Sequence, residues 1–304
     1  MLAIVAPGQG AQSPGFLAPW LELPGVAERL GHWSELAKLD LVGLGTTADA
    51  DTITDTAVTQ PLLTAAALVA PELLPVAAVT AGHSIGELAA GSLAGVLPAA
   101  DAVWLASVRG QAMAAATRAA PTGMTAVLGG DEDAVLDAIA AHGLTTANVN
   151  AAGQIVAAGT VAQLESFAAS PPPGTRLRRL RVAGAFHTPH MAPAVAAVAA
   201  AATRIRPADP AVTLLSNRDG TLVTSGRDWL DRIVAQVAAP VRWDQCLATM
   251  ARLGVTVLIE LPPAGVLASL ARRALPGVRA IALKTPDQLD AVREAAALAA
   301  HPAA

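Results

Sequence analysis

Tyrosine is absent from the 304 residues, phenylalanine occurs three times and tryptophan five times. So few rings leave no stacking platform for single-stranded nucleic acid. Charge is scarce as well. Asp, Glu, Lys and Arg make up 14% of the chain and leave a formal net charge of −4, which argues against a broad phosphate-binding surface. Cys246 is the single cysteine, so an internal disulfide and a cysteine-built zinc site are excluded, and a reducing, cytoplasmic setting is expected. The opening MLAIVAPGQG has no basic lead and its apolar run stops at Pro7, a poor match to a signal peptide. The most lipid-compatible stretch, residues 182–203, contains His187, Pro189, His190 and Pro193 and is otherwise largely alanine. It is expected to be buried in protein, with no membrane partner.

What is present is small and aliphatic: 53% of the residues are hydrophobic. A chain of this length suits one large domain, or a large domain with an insertion, and can bury roughly 75% of its unfolded surface without disulfide or metal support. Short apolar runs alternate with helical periodicity, the pattern of an α/β fold. Residues 2–6 read as a buried strand ended by Pro7-Gly8. A helix opens at Thr59-Gln60-Pro61, with Pro61 in its first turn, and runs to residue 69. A strand over 76–81 passes through Gly82-His83-Ser84 into a helix over 85–94, and 101–118 forms a long helix. Residues 124–182 then read β-α-β-β-α-β, with Thr160 and Gln163 at capping-box spacing before the second helix. That order is the ferredoxin-like signature. A ferredoxin-like subdomain over 122–184 is therefore expected to interrupt a core built from 1–121 and 185–304, completed by helices at 192–204, 229–237 and 266–274 and strands at 212–215, 255–261 and 278–283.

Gly82-His83-Ser84-Ile85-Gly86 fits G-x-S-x-G in the required strand-to-helix setting. A serine on so sharp a turn needs small neighbours, and its hydroxyl then projects at a helix N-terminus, where free N–H groups favour a developing oxyanion. Such a nucleophile needs a base. Of the six histidines, His301 lies in the tail, His32 and His142 read as near helix ends, and His83 is expected to point away from its neighbour Ser84. His187 and His190, in a loop flanked by uncharged sequence, are the remaining candidates, and spacing does not choose between them. Gly8-Gln9-Gly10 follows the first strand but has Ser13 where a dinucleotide fingerprint needs its third glycine. Two readings remain open for this motif: a plain tight turn, or a glycine loop that offers a backbone N–H to the site. Arg109, mid-helix among small residues, has a planar fork suited to a substrate carboxylate.

GQGAQ (8–12), TQPLL (59–63), GHSIGE (82–87), RGQAM (109–113), NAAGQIVAAG (150–159), GAFHTPHM (184–191) and QVAAPVRW (236–243) occur in this order. In that set the chain resembles the malonyl-CoA:acyl carrier protein transacylases, over roughly residues 4 to 270. The resemblance implies an α/β-hydrolase-like core with a ferredoxin-like insertion. It implies Ser84 as nucleophile, His187 as base in preference to His190, and the main-chain carbonyl of Gln236 as the group that orients His187. Gln9 and Ile85 N–H groups would form the oxyanion hole, Arg109 would bind the malonyl carboxylate, and Gln60 and Asn150 would line the cleft. Phe186 would occupy the space that an α-methyl group needs. The turn Glu260-Leu261-Pro262-Pro263-Ala264-Gly265 departs from the family's more glycine-rich pattern, which puts the shape of that loop in question.

The partners implied are malonyl-CoA, as substrate, and acyl carrier protein, with no cofactor and no metal. Carrier proteins are acidic, so docking calls for a local basic patch, for which Arg176, Arg178, Arg179, Arg181, Arg272 and Arg273 are candidates. The rival reading is a serine esterase or thioesterase. Such hydrolases place an acid between serine and histidine in chain order; once the helix near Asp101 is set aside, the acids in that interval, such as Asp137 and Glu165, belong to the expected insertion and sit badly for a triad.

Overall fold

Strand β1 (Leu2–Ala6) is apolar and buried at every position, as a strand covered on both faces must be. In the computed structural model, which describes residues 1–300, it lies inside the larger of two sheets in a mixed α/β arrangement. Helix α1 (Val26–Ala37) buries Val26, Leu30, Trp33 and Ala37 along one stripe. Short α2 (Leu41–Thr46) and then α3 (Thr56–Ala67) follow. Strand β2 (Val79–Gly82) and α4 (Gly86–Leu93) flank the serine turn, and α5 (Ala99–Thr117) packs across α3.

The next stretch runs β3 (Thr122–Gly129), α6 (Glu132–Ala141), β4 (Thr145–Ala151), β5 (Gln154–Thr160), α7 (Val161–Ala169) and β6 (Thr175–Arg179). After it come α8 (Ala192–Ala202), β7 (Thr213–Leu215), β8 (Leu222–Val223), α9 (Gly226–Gln236), β9 (Val241–Arg242) and α10 (Trp243–Arg252). The chain closes with β10 (Val257–Glu260), α11 (Val266–Ala274), β11 (Arg279–Ala282) and α12 (Leu289–Ala300).

The larger sheet has the order β11-β10-β1-β2-β7-β8, parallel except for β8. One face packs on α1, α3, α4, α5 and α8; the other packs on Trp243, Leu247, Met250, Leu267 and Leu270 from α10 and α11. The second sheet has the order β6-β3-β5-β4-β9. Its first three pairings are antiparallel, while β9, from outside residues 122–184, adds in parallel to β4. Val135, Ile139, Leu164 and Phe167 of α6 and α7 cover one of its faces. The loops after β1, β2, β7 and β10 all leave the carboxyl ends of parallel strands, where open α/β sheets place their ligand crevices.

Several expected boundaries move. Helix α3 begins before Thr59, because the Asp55 carboxylate caps it by accepting from Ala57 N–H, so Pro61 sits inside the helix. The first residues of the expected strand 76–81 are not strand; Val76 is 89% exposed and pairing starts at Val79. Strand β6 stops at Arg179 because its ladder to β3 ends at Thr125. His32 lies inside α1 and faces solvent. His301 falls outside the described residues. Among the described residues no helix is long and apolar enough to cross a membrane, and the alanine-rich stretch 182–203 supplies α8, which packs against α5 and α9.

Candidate active site

Ser84 occupies the turn between β2 and α4 with φ of 53°, a left-handed conformation that is uncommon outside glycine. The turn closes only because its neighbours are small. A Cβ on Gly82 would strike the Gly86 backbone, and one on Gly86 would strike the Ala6 carbonyl of β1. Strand, turn and helix thus interlock, and the serine hydroxyl stands at the N-terminal end of α4.

Ser84 Oγ is 2.7 Å from His187 Nε2, and His187 Nδ1 is 2.9 Å from the Gln236 main-chain oxygen. A carbonyl only accepts, so Nδ1 carries the proton and Nε2 presents its lone pair to the hydroxyl. His187 is buried and also has a left-handed φ, 61°. Burial, and then the Arg109 guanidinium, push its pKa down to about 3, so the imidazole stays neutral. The structure thereby separates the two loop histidines: His190 sits in the turn after Thr188, its backbone N–H donating to Thr188 Oγ1.

Arg109 is 1% exposed. Its Nη1 donates to Gln60 Oε1 at 2.7 Å, and its Nη2 to Gln236 Oε1 at 3.0 Å and Ser84 Oγ at 3.4 Å. Burial lowers its pKa to about 10, opposed by Glu87, which leaves it cationic at neutral pH. Gln60 does not line the cleft; it is fully buried behind Arg109, with its amide nitrogen 3.3 Å from Met113 Sδ.

The cleft itself, about 370 Å³, lies between the two sheets. Gln9, His83 and Ser84 contribute from the larger sheet and its loops, Asn150 and Arg178 from the second sheet, Phe186 and His187 from the segment between β6 and α8, and Val266 from α11. His83 does not turn away as expected. It faces the same cleft, its Nε2 2.8 Å from Asn150 Oδ1, and burial lowers its pKa. Among the described residues neither the Gln9 nor the Ile85 amide N–H has an acceptor. The questioned turn after β10 is ordered by Glu260, whose carboxylate accepts from the Gly265, Leu267 and Ala268 N–H groups and holds the start of α11 against the cleft.

Sequence reasoning passed over two residues beneath the serine. Glu87 is 2% exposed and Asn217 is fully buried. Asn217 Oδ1 accepts from Ser84 N–H at 2.7 Å, while its Nδ2 donates to the Gly82 carbonyl at 2.7 Å. Glu87 accepts from Asn217 N–H at 2.8 Å and from the Gln236 side-chain amide. Burial raises the Glu87 pKa to about 8, opposed first by the Asn217 N–H and then by Arg109. Glu87 was legible in principle, as a lone acid on an apolar helix. Asn217, in the turn-like run Ser216-Asn217-Arg218-Asp219-Gly220, was not. Among the described residues no cluster of three or more His, Cys, Asp or Glu is placed to hold a metal ion.

A serine–histidine pair at the cleft, with a buried arginine at its side, has the geometry that acyl transfer needs, and sequence comparison adds the family. The acyl transferase domain matches residues 5–295. A Mycobacterium tuberculosis protein named malonyl CoA-acyl carrier protein transacylase is 54% identical over 297 residues, 95% of this chain and 98% of its own length.

The chain belongs to the malonyl CoA-acyl carrier protein transacylase family.

An Escherichia coli transacylase of the same name is 33% identical, covering 96% of this chain and 98% of its own. The crystal structure of the Mycobacterium tuberculosis transacylase superposes with a TM-score of 0.94 at 53% identity, over 96% of this chain and 99% of that one. A second transacylase structure, of a type II PKS acyl-carrier protein in complex with its malonyl-transacylase, superposes with a TM-score of 0.90 at 27% identity, over 96% and 99% of the two chains.

Proposed function

We propose that this chain transfers the malonyl group of malonyl-CoA to the phosphopantetheine thiol of acyl carrier protein, in fatty-acid or polyketide synthesis, by a ping-pong route through malonyl-Ser84. The observation that carries the reading is the Ser84–His187 pair at 2.7 Å with a buried arginine beside it. His187 Nε2 takes the Ser84 proton as Oγ attacks the thioester carbonyl. The tetrahedral oxyanion is received by the unengaged Gln9 and Ile85 N–H groups. Collapse expels CoA thiolate, which takes the proton from His187. In the second half-reaction His187 accepts the proton of the carrier thiol, sulfur attacks malonyl-Ser84, and the proton returns to Ser84 Oγ.

Arg109 pairs with the malonyl carboxylate, and Gln60 and Gln236 aim its fork. Phe186, in the cleft wall beside His187, limits the room at the α-carbon. Asn150, on β4, lines the same cleft. No cofactor enters the reaction; malonyl-CoA is substrate. The residues that act come from a core of 1–121 and 185–304, which we read as α/β-hydrolase-like, and from a ferredoxin-like insertion over 122–184. Antiparallel order β6-β3-β5-β4 with both helices on one face supports the latter. A cytoplasmic setting suits the lone reduced Cys246.

A serine hydrolase is disfavoured because His187 leans on a carbonyl where a triad has a carboxylate. Ester hydrolysis also gives a buried cation no substrate charge to meet. Intact-protein mass spectrometry after mixing with malonyl-CoA is the test. We expect one malonyl adduct, on Ser84, discharged by holo acyl carrier protein and absent from Ser84→Ala; no adduct on the unaltered chain would sink the reading.

A further inference from the structure

Asn217 is saturated in all directions. Besides its side-chain bonds to Ser84 N–H and the Gly82 carbonyl, Oδ1 receives the Gln236 amide at 3.2 Å and Nδ2 lies 3.8 Å from Cys246 Sγ. Its backbone N–H is held by Glu87 and its carbonyl receives Arg242 N–H of β9 at 2.7 Å. One side chain therefore grips the turn at two points just ahead of the nucleophile's left-handed φ, and does so from a loop fixed to α4 by Glu87 and to the second sheet through β9.

We infer that Asn217 is a positioning residue for the nucleophile: its amide clamps Gly82 and Ser84 so that the Ser84 hydroxyl keeps its distance to His187 and the α4 N-terminus keeps its aim. The inference rests on the transferase reading for its substrate but not for its geometry. The clamp needs an acceptor and a donor on one planar group, since Ser84 offers a donor and Gly82 an acceptor, and the asparagine amide supplies both at any pH. Alanine leaves the Ser84 N–H and the Gly82 carbonyl without their partners. Aspartate reproduces the pair only when protonated, as C=O toward Ser84 N–H and O–H toward Gly82; once ionised, it turns an oxygen anion on the Gly82 carbonyl.

Asn217→Ala and Asn217→Asp are to be compared with the unaltered protein in two reactions: acylation by malonyl-CoA, and labelling of Ser84 by a fluorophosphonate, which needs the serine and its base but no carboxylate reader. For Asn217→Ala we expect both rates to fall on the order of 10²-fold, as displacement of a reacting group does, with KM for malonyl-CoA changed by less than about twofold because Arg109 is untouched. For Asn217→Asp we expect a comparable loss at pH 8 and recovery of about tenfold by pH 5.5, because burial beside Glu87 raises the new carboxyl's pKa so that it gains its proton in this range. The unaltered protein is the control across the same range, because Glu87, Cys246 and, beyond Gln236, Arg109 also face this position.

Labelling of Asn217→Ala at the unaltered rate overturns the inference, as does an Asn217→Asp profile that parallels the control. If Asn217→Ala yields no folded protein, the Asn217→Asp profile decides. Fluorophosphonate labelling without malonyl transfer in the unaltered protein would remove the transferase reading and leave the clamp fully testable.

Discussion

His187 owes its reactivity to an arrangement that also weakens it as a proton acceptor. With Nδ1–H on the Gln236 carbonyl, no carboxylate stabilises the imidazolium, and both burial and the Arg109 charge oppose protonation. A base with a pKa of about 3 in the folded state remains available well below the ordinary histidine range. We expect the rate of Ser84 acylation to stay level from pH 8 to about pH 5, without the usual loss near 6.5; a stopped-flow profile that falls with an apparent pKa near 6.5 would refute this. Stability carries the opposite mark. Because the folded pKa lies below the unfolded value, the unfolded chain binds the extra proton. His187's contribution is therefore complete above pH 6.5 and is lost as pH falls toward about 3. Glu87 acts in reverse: its folded pKa is raised to about 8, so its contribution is present below the ordinary carboxylate range and is lost as pH rises through 8.

At the level of elements, the serine turn depends on how closely β2, α4 and β1 approach. An alanine at Gly86 would drive its Cβ into the Ala6 carbonyl, a backbone atom that cannot step aside. Gly86→Ala should lower stability by about 1–3 kcal/mol, the usual cost of forced overpacking, and should abolish acylation. Gly31→Ala, on the exposed side of α1 with nothing within 4 Å of the new Cβ, should raise stability by about 0.5–1 kcal/mol. Thermal unfolding of the two variants checks both signs. The turn was legible beforehand because G-x-S-x-G encodes that crowding directly, and the β-α-β-β-α-β run was legible because each element carries its own period and caps. Helix α1 is less legible although Val26, Leu30, Trp33 and Ala37 keep helical spacing, because its polar residues and Gly31 dilute the apolar stripe. The start of α3 was misplaced because a proline usually marks a first turn, whereas here Asp55 caps the helix ahead of it. Asn217, and the role of Gln60 as the partner of Arg109, lay beyond reach for a different reason. Their roles arise from contacts over sequence separations of 133 and 49 residues, and neither residue differs locally from a turn asparagine or a helical glutamine.

Across the whole molecule, the cleft is walled by two sheets that differ in charge as well as in topology. Strand β6 is the free edge of the second sheet, and its arginines alternate between faces. Arg178, opposite Ala126 in the ladder, lines the cleft with Met124, Ala126 and Leu180, whereas Arg179 pairs with Thr125 and points to the other face. Arg272 and Arg273 have partners already, in the Ala280 carbonyl and Gln154 Oε1. Of the six candidate arginines Arg178 is the one that lines the cleft, and we propose that it meets an acidic carrier protein as the phosphopantetheine arm enters. Charge reversal at Arg178 should raise the carrier-protein KM by about tenfold, the scale of one rim charge in a steered encounter, and Arg179→Glu should change it by less than about twofold. The difference should shrink as salt is raised, because an exposed contact is screened. Measuring KM for both variants at low and high ionic strength separates this from a general loss of positive charge: equal increases for the two would mean that net charge, not the cleft-facing side chain, draws the partner in.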